Sequence, residues 1–144
     1  MLCASPAYLR EQGQPDSVAG LARHSCLQLV TSLFPRDRWH LDGPNGRETF
    51  GLPPTAFQVN LADALAAALR KGKGVGALPM SSAGAALRSG SLVRALPGCQ
   101  LQKLTVYVLY PSRQYLDAKI WTFVEFLQEV VPQALVADQV ALNY

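Results

Sequence analysis

His24 and Cys26 are the first candidates for chemistry, because an imidazole two residues from a thiol could activate that thiol or share a metal ion with it. No third ligand or orienting acid follows at a useful spacing. Cys3, Cys26 and Cys99 form no paired or metal-ligand spacing, so we interpret them as buried thiols. Ser81 and Ser82 lack the flanking glycines of a nucleophile elbow. We therefore expect no catalytic site, no cofactor and no metal site.

The segment Gly72-Lys73-Gly74-Val75-Gly76 has the glycine content of a phosphate-binding loop. It follows a predicted helix and precedes a predicted strand, which is the reverse of the order in dinucleotide and nucleotide-phosphate sites. These glycines are more simply explained by the end of a helix and a tight turn into a strand.

Asn60 is the remaining polar candidate, since it closes one predicted strand and opens a predicted helix. Open α/β sheets bind ligands at the carboxyl ends of their strands, where the free N–H groups of helix starts gather. Two interpretations stay open for Asn60. It contacts a ligand there, or it only caps its helix.

The chain has 144 residues, of which 49% are hydrophobic and 16% charged, so it has the size and composition of one folded domain. No segment has about twenty uninterrupted apolar residues, and we expect no membrane insertion. The 13 Lys and Arg residues are dispersed and the net charge is +3, which is weak evidence for nucleic-acid binding.

Hydrophobic periodicity and turn signals predict alternating strands and helices, which indicates an α/β fold with a mixed sheet. Asn60 is predicted to cap the helix 61–71, whose Ala and Leu residues predict burial between layers. Asp117 is predicted to cap the last helix and Pro132 to end it. The other predicted elements are helices at 5–12 and 81–89, strands at 26–30, 57–60, 75–79, 92–96 and 105–110, and a hairpin turning at Asn45-Gly46.

Five segments, taken in order, resemble the effector domain of LysR-type bacterial transcription regulators. Each is weak alone, but their order and spacing are specific, and the resemblance runs from the first residue to about Leu135. The segments are Cys3–Leu9, Val59-Asn60 with Ala64-Leu65, Gly74–Pro79, Tyr107–Pro111 and Phe123–Leu127.

The resemblance implies a fold similar to type-2 periplasmic binding proteins, with two α/β subdomains, a two-strand hinge and a ligand cleft between them. It assigns 5–104 to the second subdomain, 105–135 to the hinge strand and a helix of the first, and 136–144 to a tail. It also implies that a DNA-binding domain, a linker helix and most of the first subdomain would precede Met1.

The resemblance further implies a small-molecule effector, such as a small organic acid, bound by a cytoplasmic protein that self-associates as a homodimer or higher oligomer. DNA would be bound only through the absent N-terminal domain. Thr31 and Ser32 have hydroxyls able to bind an acid, and Asn60 can donate an amide hydrogen bond. The implied effector-binding residues are Val30, Thr31, Ser32, Asn60, Leu78 and Pro79.

Two other functions stay open. The chain could be an assembly module that only holds regulator subunits together, or a solute-binding domain of the same fold. An apolar stripe on the last helix bears on the first alternative, because we expect it to be buried by folding back or by a second copy of the chain. The stripe consists of Ile120, Phe123, Val124, Leu127, Val130 and Val131.

Overall fold

A computed structural model of the chain describes residues 1–31, 35, 37–54, 57–102, 107, 109 and 117–140. The chain divides into two compact units, Met1–Gln102 and Lys103–Tyr144. The first unit contains eight strands and three α-helices among its described residues, and the second contains one long helix.

The first unit alternates strands and helices as its hydrophobic pattern predicts. Its strands are β1 (Leu2–Ala4), β2 (Cys26–Leu29), β3 (Arg38–Gly43), β4 (Gly46–Gly51), β5 (Gln58–Val59), β6 (Val75–Ala77), β7 (Val93–Arg94) and β8 (Gln100–Leu101). Its helices are α1 (Pro6–Gln12), a 3₁₀ helix (Ala19–Arg23), α2 (Ala62–Arg70) and α3 (Met80–Arg88). β1 and β8 were not anticipated, and β7 is shorter than the strand predicted at 92–96.

A five-stranded mixed sheet forms the centre of this unit, in the order β5-β2-β6-β1-β7. β2 pairs in parallel with β5 on one side, Gln28 opposite Gln58, and with β6 on the other, Cys26 opposite Val75. β1 pairs antiparallel with both β6 and β7. The predicted mixed sheet is confirmed, with α2 forming the crossover between two strands that flank β2.

The two faces of this sheet bury two different clusters, as the alternation of side chains along a strand requires. Cys26 packs with Trp39, Leu41 and Phe50 of the hairpin and with residues of α1. Leu27, one residue further on, packs on the opposite face with Leu65 and Leu69 of α2 and with residues of α3. The sheet is therefore covered by α2 and α3 on one face, and by the hairpin layer together with α1 and the 3₁₀ helix on the other.

β3 and β4 form the predicted hairpin, and β8 pairs antiparallel with the free edge of β3 to give a three-stranded sheet. Gly43 pairs with Gly46, so the two turn residues are Pro44 and Asn45 rather than the predicted Asn45-Gly46 pair. Neither turn residue has a positive φ, whereas Gly46, the first residue of β4, has φ of 99°. Pro44 explains the difference, because its ring holds φ near −65° and excludes the turn types that require positive φ at both central positions.

α1 begins as predicted, since Ser5 Oγ accepts a hydrogen bond from the N–H of Tyr8 at 3.2 Å. The prediction for α2 is wrong in two respects. Leu61, not Asn60, is the N-cap, and no side chain caps the helix, because the chain stays extended through Leu61 and Asn60 lies one position too early. Ala64 and Ala67 are exposed, so α2 buries one face only, and these two alanines reflect helix propensity rather than burial.

The glycine-rich segment is a helix end and a turn, as its position predicted. Gly72 has φ of 70° immediately after the C-cap of α2. Gly74 has φ of 152°, and a Cβ there would overlap with the carbonyl oxygen of Ser25. That oxygen accepts the hydrogen bond from the N–H of Val75 at 2.8 Å that starts the pairing of β6 with β2. Only glycine fits this close approach.

The second unit contains α4, which runs from Ala118 to Val140. Asp117 Oδ1 accepts from the N–H of Lys119 at 3.3 Å, in keeping with the predicted capping role. The prediction that Pro132 ends the helix is wrong. The helix passes through Pro132 into the segment 133–140, where no pattern was identified, because Gln, Ala and Leu favour helix and outweigh one lost backbone hydrogen bond. The strand predicted at 105–110 lies largely outside the described residues.

Replacing Gly74 should show how strongly the β2–β6 pairing depends on this glycine. Gly74→Ala should lower the free energy of unfolding by roughly 2 to 4 kcal/mol, because backbone strain adds to a displaced strand hydrogen bond. Gly98→Ala is the matched control, since nothing lies within 4 Å of a Cβ built there. Urea unfolding followed by circular dichroism measures both changes. Equal stabilities of the two variants would contradict the role assigned to Gly74.

Candidate functional site

The carboxyl ends of three neighbouring parallel strands define the candidate site. β5, β2 and β6 run in the same direction, so Asn60, Val30 and Leu78 follow their last residues at one edge of the sheet. The N–H of Val30 donates to the carbonyl oxygen of Val59 at 2.7 Å, which aligns the ends of β2 and β5. The N–H of Leu78 donates to the carbonyl oxygen of Met1 at 2.9 Å and fixes the end of β6.

The other residues implied by the resemblance are placed differently. Thr31 follows Val30 and is half-buried, and Pro79 is half-buried at the start of α3. Leu78 is 2% exposed and belongs to the helix-side core, and its N–H and its carbonyl oxygen both form hydrogen bonds with Met1, so Leu78 fixes the position of this strand end. Ser32 lies outside the described residues.

Two helices begin at this edge without a side-chain cap. Leu61 is the N-cap of α2 and Pro79 that of α3, and neither provides a side-chain hydrogen bond to its helix. α1, by contrast, is capped by the side chain of Ser5. The first N–H groups of an uncapped helix carry a partial positive charge and are available to an anion or a hydrogen-bond acceptor.

Ser81 and Ser82 lie in the first turn of α3, which contains no acidic residue. Ser81 is exposed and Ser82 is half-buried, so their hydroxyls lie at the same helix start as Pro79. Sequence reasoning considered these serines only as nucleophiles. Because α3 begins at Met80, one residue before the predicted start at 81, both serines lie in its first turn, and this makes them candidates for binding.

A pocket lies between the central sheet and the hairpin layer, close to the same strand ends. Gln28 contributes to it from β2, and the side chain of Gln28 is on the same face as Cys26 by strand alternation. Most of the remaining lining is apolar and includes Leu29, Trp39, Leu52, Ala77 and Leu101. Gln28 was not identified from the sequence, because its position inside an apolar run predicts only a buried strand.

His24 and Cys26 have separate structural surroundings. The ring of His24 packs on Tyr8 with 5.8 Å between ring centroids, and Cys26 Sγ donates to the carbonyl oxygen of Leu21 at 3.7 Å. Burial raises the pKa of the Cys26 thiol to about 11, and it raises that of Cys3 to about 11 as well. Both thiols are therefore protonated near neutral pH, and a thiolate nucleophile is not formed at either position.

Charged groups near the hairpin form local pairs rather than a charged site. Arg38 contacts Asp37 at 2.6 Å, and Arg47 contacts Asp42 at 2.8 Å. Within the described part of the chain, His, Cys, Asp and Glu form no cluster of three that could hold a metal ion. The features of this unit that favour a ligand are thus strand ends, helix starts and a largely apolar pocket.

A family model described as the LysR substrate binding domain matches residues 1–132. The chain belongs to this family. The resemblance seen in the sequence is confirmed. Solved relatives are regulatory domains with a fold like that of periplasmic binding proteins, which confirms the predicted fold class.

Similar proteins of this family are transcription regulators. TtdR of Escherichia coli, named as a transcriptional activator, is 30% identical over 136 residues, covering 94% of this chain and 43% of the relative. LtrA of Klebsiella pneumoniae, named as a probable transcriptional regulator, is 28% identical over 137 residues, covering 92% of this chain and 43% of LtrA. The chain thus spans less than half the length of these LysR relatives, and neither is named as an enzyme.

A solved structure adds a three-dimensional comparison. The full-length virulence activator AphB of Vibrio cholerae superposes with a TM-score of 0.75 at 27% identity, covering 88% of this chain and 43% of that protein. The LysR fold and the order of its elements are therefore shared with a known regulator. Among the described residues, no helix is both long enough and apolar enough to cross a membrane.

The buried histidine generates a pH prediction. His24 Nδ1 has no hydrogen-bond partner among the described residues, and burial lowers the pKa of the imidazole below its usual 6.5. The unfolded chain then binds the proton more readily than the folded chain, so this contribution to stability is complete above about pH 6.5 and is lost as the pH falls.

We expect the free energy of unfolding to fall between pH 7.5 and pH 5 in the wild type and to fall less in His24→Phe, which keeps a ring against Tyr8. Urea unfolding at a series of pH values measures the difference. His40→Gln, at the other histidine, is the control and should retain the wild-type slope. A wild-type slope in His24→Phe would show that other groups cause the pH dependence.

Proposed function

We propose that this chain is the effector-sensing part of a LysR-type transcription regulator. A small metabolite binds at the carboxyl edge of β5, β2 and β6, and its binding controls the attachment of the complete regulator to DNA and the transcription of its target genes. The observation that carries the proposal is the convergence of three parallel strand ends with two helix starts that lack side-chain caps.

The chemistry of this edge favours a small organic acid as the effector. The uncapped N–H groups of α2 and α3 can bind a carboxylate, and the first turn of α3 adds the hydroxyls of Ser81 and Ser82. Asn60 is exposed beside the start of α2 and can donate from its amide. Val30 and Thr31 supply the neighbouring strand end, and Ser32 continues it in sequence.

The remaining parts of the proposal concern the complete regulator. The chain covers 43% of the regulators it resembles, and we assign DNA binding to a separate domain of the full protein rather than to this chain. A regulator of this kind acts on chromosomal DNA, and we assign it to the cytoplasm for that reason. We assign no catalytic activity to it, in keeping with the regulators among its relatives.

A thermal-shift screen against small organic acids, with variants of Asn60, tests the effector site. An acid present at one hundred times its dissociation constant should stabilise the chain by about 2.7 kcal/mol. Asn60→Ala should change the stability of the free chain by less than about 0.5 kcal/mol, because Asn60 does not cap α2. Asn60→Asp should retain the fold and weaken an anionic effector at least about tenfold, since it places a like charge beside the ligand.

Asn45→Asp is the matched control, because it introduces the same charge in the exposed hairpin turn. It should leave the affinity for the acid unchanged. Stabilising acids that bind wild type, Asn60→Asp and Asn45→Asp equally would refute the placement of the effector beside Asn60.

The second unit favours an additional role in assembly. Ile120, Phe123 and Val130 of the predicted stripe are exposed, while Val124 is buried and Leu127 and Val131 are half-buried. Trp121 and Phe126, outside the stripe, are exposed as well. Burying one large apolar side chain is worth about 1.5 to 3 kcal/mol, so exposing several of them to water is unfavourable. We propose that a second copy of the chain covers this surface.

Sedimentation equilibrium tests whether α4 mediates a homodimer. Leu127→Glu should shift the wild-type dimer toward monomer, because the carboxylate would lose its hydration in an apolar interface. Gln128→Glu adds the same charge at an exposed neighbouring position and should leave the dimer intact. A wild-type chain that is monomeric at high concentration would contradict the assembly role and would leave effector binding unaffected.

A further inference from the structure

The pocket between the two sheets has one buried polar group in an apolar lining. Gln28 and Ala77 approach it from the central sheet, and Trp39, Leu52 and Leu101 approach it from the hairpin layer and its flanking segment. The ring of Trp39 packs on that of Phe50, with 6.0 Å between ring centroids and an interplanar angle of 34°. The walls are thus fixed by the two sheets, and Gln28 supplies a carboxamide from one of them.

Gln28 is only 6% exposed. Its backbone N–H donates to the carbonyl oxygen of Phe57 at 3.2 Å, but its carboxamide forms no hydrogen bond with any described residue. His24 Nδ1 is the only fully enclosed side-chain nitrogen or oxygen without a partner in the described part of the chain. The amide atoms of Gln28 therefore remain in contact with the space of the pocket rather than being sealed inside the core.

Two of the polar residues that line this pocket with Gln28, Arg38 and His40, are already engaged, and a third, Gln102, is exposed. The guanidinium of Arg38 is paired with the carboxylate of Asp37, and Nδ1 of His40 lies 3.0 Å from Oγ1 of Thr49. Charge at the pocket is consequently balanced within a local ion pair. A buried carboxamide without a partner is unfavourable, and a ligand group that both donates and accepts would satisfy its oxygen and its nitrogen.

We propose that this pocket is a recognition subsite for an apolar group that carries one neutral hydrogen-bonding function, a hydroxyl or an amide, and that Gln28 determines its specificity. Its assignment as part of an effector site rests on the proposed function. Recognition by Gln28 itself depends only on the pocket. The subsite is on the hairpin-facing side of the central sheet, whereas α2 and α3 cover the opposite side.

Nuclear magnetic resonance of the ¹⁵N-labelled 144-residue chain with three probes tests this assignment. Benzyl alcohol combines an apolar ring with a hydroxyl, toluene lacks the hydroxyl, and benzoate replaces it with a charge. Benzyl alcohol should shift the carboxamide resonances of Gln28 saturably and should bind about tenfold more tightly than toluene or benzoate.

Gln28→Leu should abolish the roughly tenfold preference for benzyl alcohol over toluene, since the hydrogen-bonding group is replaced by an apolar one of similar size. Gln58→Leu is the matched control, because Gln58 lies opposite Gln28 in the neighbouring strand and is exposed. It should leave the preference unchanged. Gln28→Met provides a second apolar variant if Gln28→Leu does not fold.

Unchanged Gln28 resonances at saturating benzyl alcohol would overturn the inference, and so would equal binding of benzyl alcohol by wild type and Gln28→Leu. A failure of the effector site gives a different result. An acid that shifts the backbone amides of 62–64 and 80–82 but not the Gln28 carboxamide supports the proposed function and refutes the subsite. Benzyl alcohol that shifts Gln28, with no acid shifting those amides, supports the subsite and refutes the effector site.

Discussion

The position of β2 between two parallel partners is the constraint on which the first unit depends. β2 bonds to β5 through Gln28 and Leu29 and to β6 through Cys26 and Leu27, so both edges of this short strand are satisfied by neighbours that run in the same direction. Parallel strands need a crossover, and α2 provides it by packing Leu65 and Leu69 against Leu27. Gly74 permits the return of the chain beside Ser25, where a larger residue would displace the backbone. The direction of β2 thereby determines which edge collects the strand ends.

That arrangement also separates the two surfaces that we propose as ligand-binding surfaces. At the carboxyl edge the backbone supplies N–H groups from two helices without side-chain caps, which suits an acceptor or an anion. On the hairpin side, the alternation of side chains along β2 places Gln28 in the wall of a largely apolar pocket, where a neutral polar group is the better partner. An effector with an acidic end and an apolar body would match both of these proposed surfaces, and the role proposed for the α4 surface of the second unit is assembly.

Sequence reasoning predicted the elements whose signals are local. The cap at Ser5, the order of strands and helices and the helix end at Gly72 follow from residue type and spacing, and the family followed from the order of five segments. Asn60 was misassigned as a cap because a one-residue shift at the end of β5 depends on strand pairing rather than on local sequence. Pro132 was misassigned because neighbouring helix formers outweighed one missing hydrogen bond. Gln28 was missed because only the approach of the hairpin layer turns a buried strand residue into the wall of a pocket.

Hydrogen exchange of the chain with and without a stabilising acid tests whether the acid binds at the carboxyl edge of β5, β2 and β6. We expect the acid to slow exchange at the strand ends and helix starts that converge at the carboxyl edge of the parallel strands. Protection should therefore be concentrated at 30–31, 60–64 and 78–82, with little change in the hairpin turn at 43–46. Protection confined to α4 or to the hairpin, with the strand ends exchanging as in the free chain, would contradict binding at this edge.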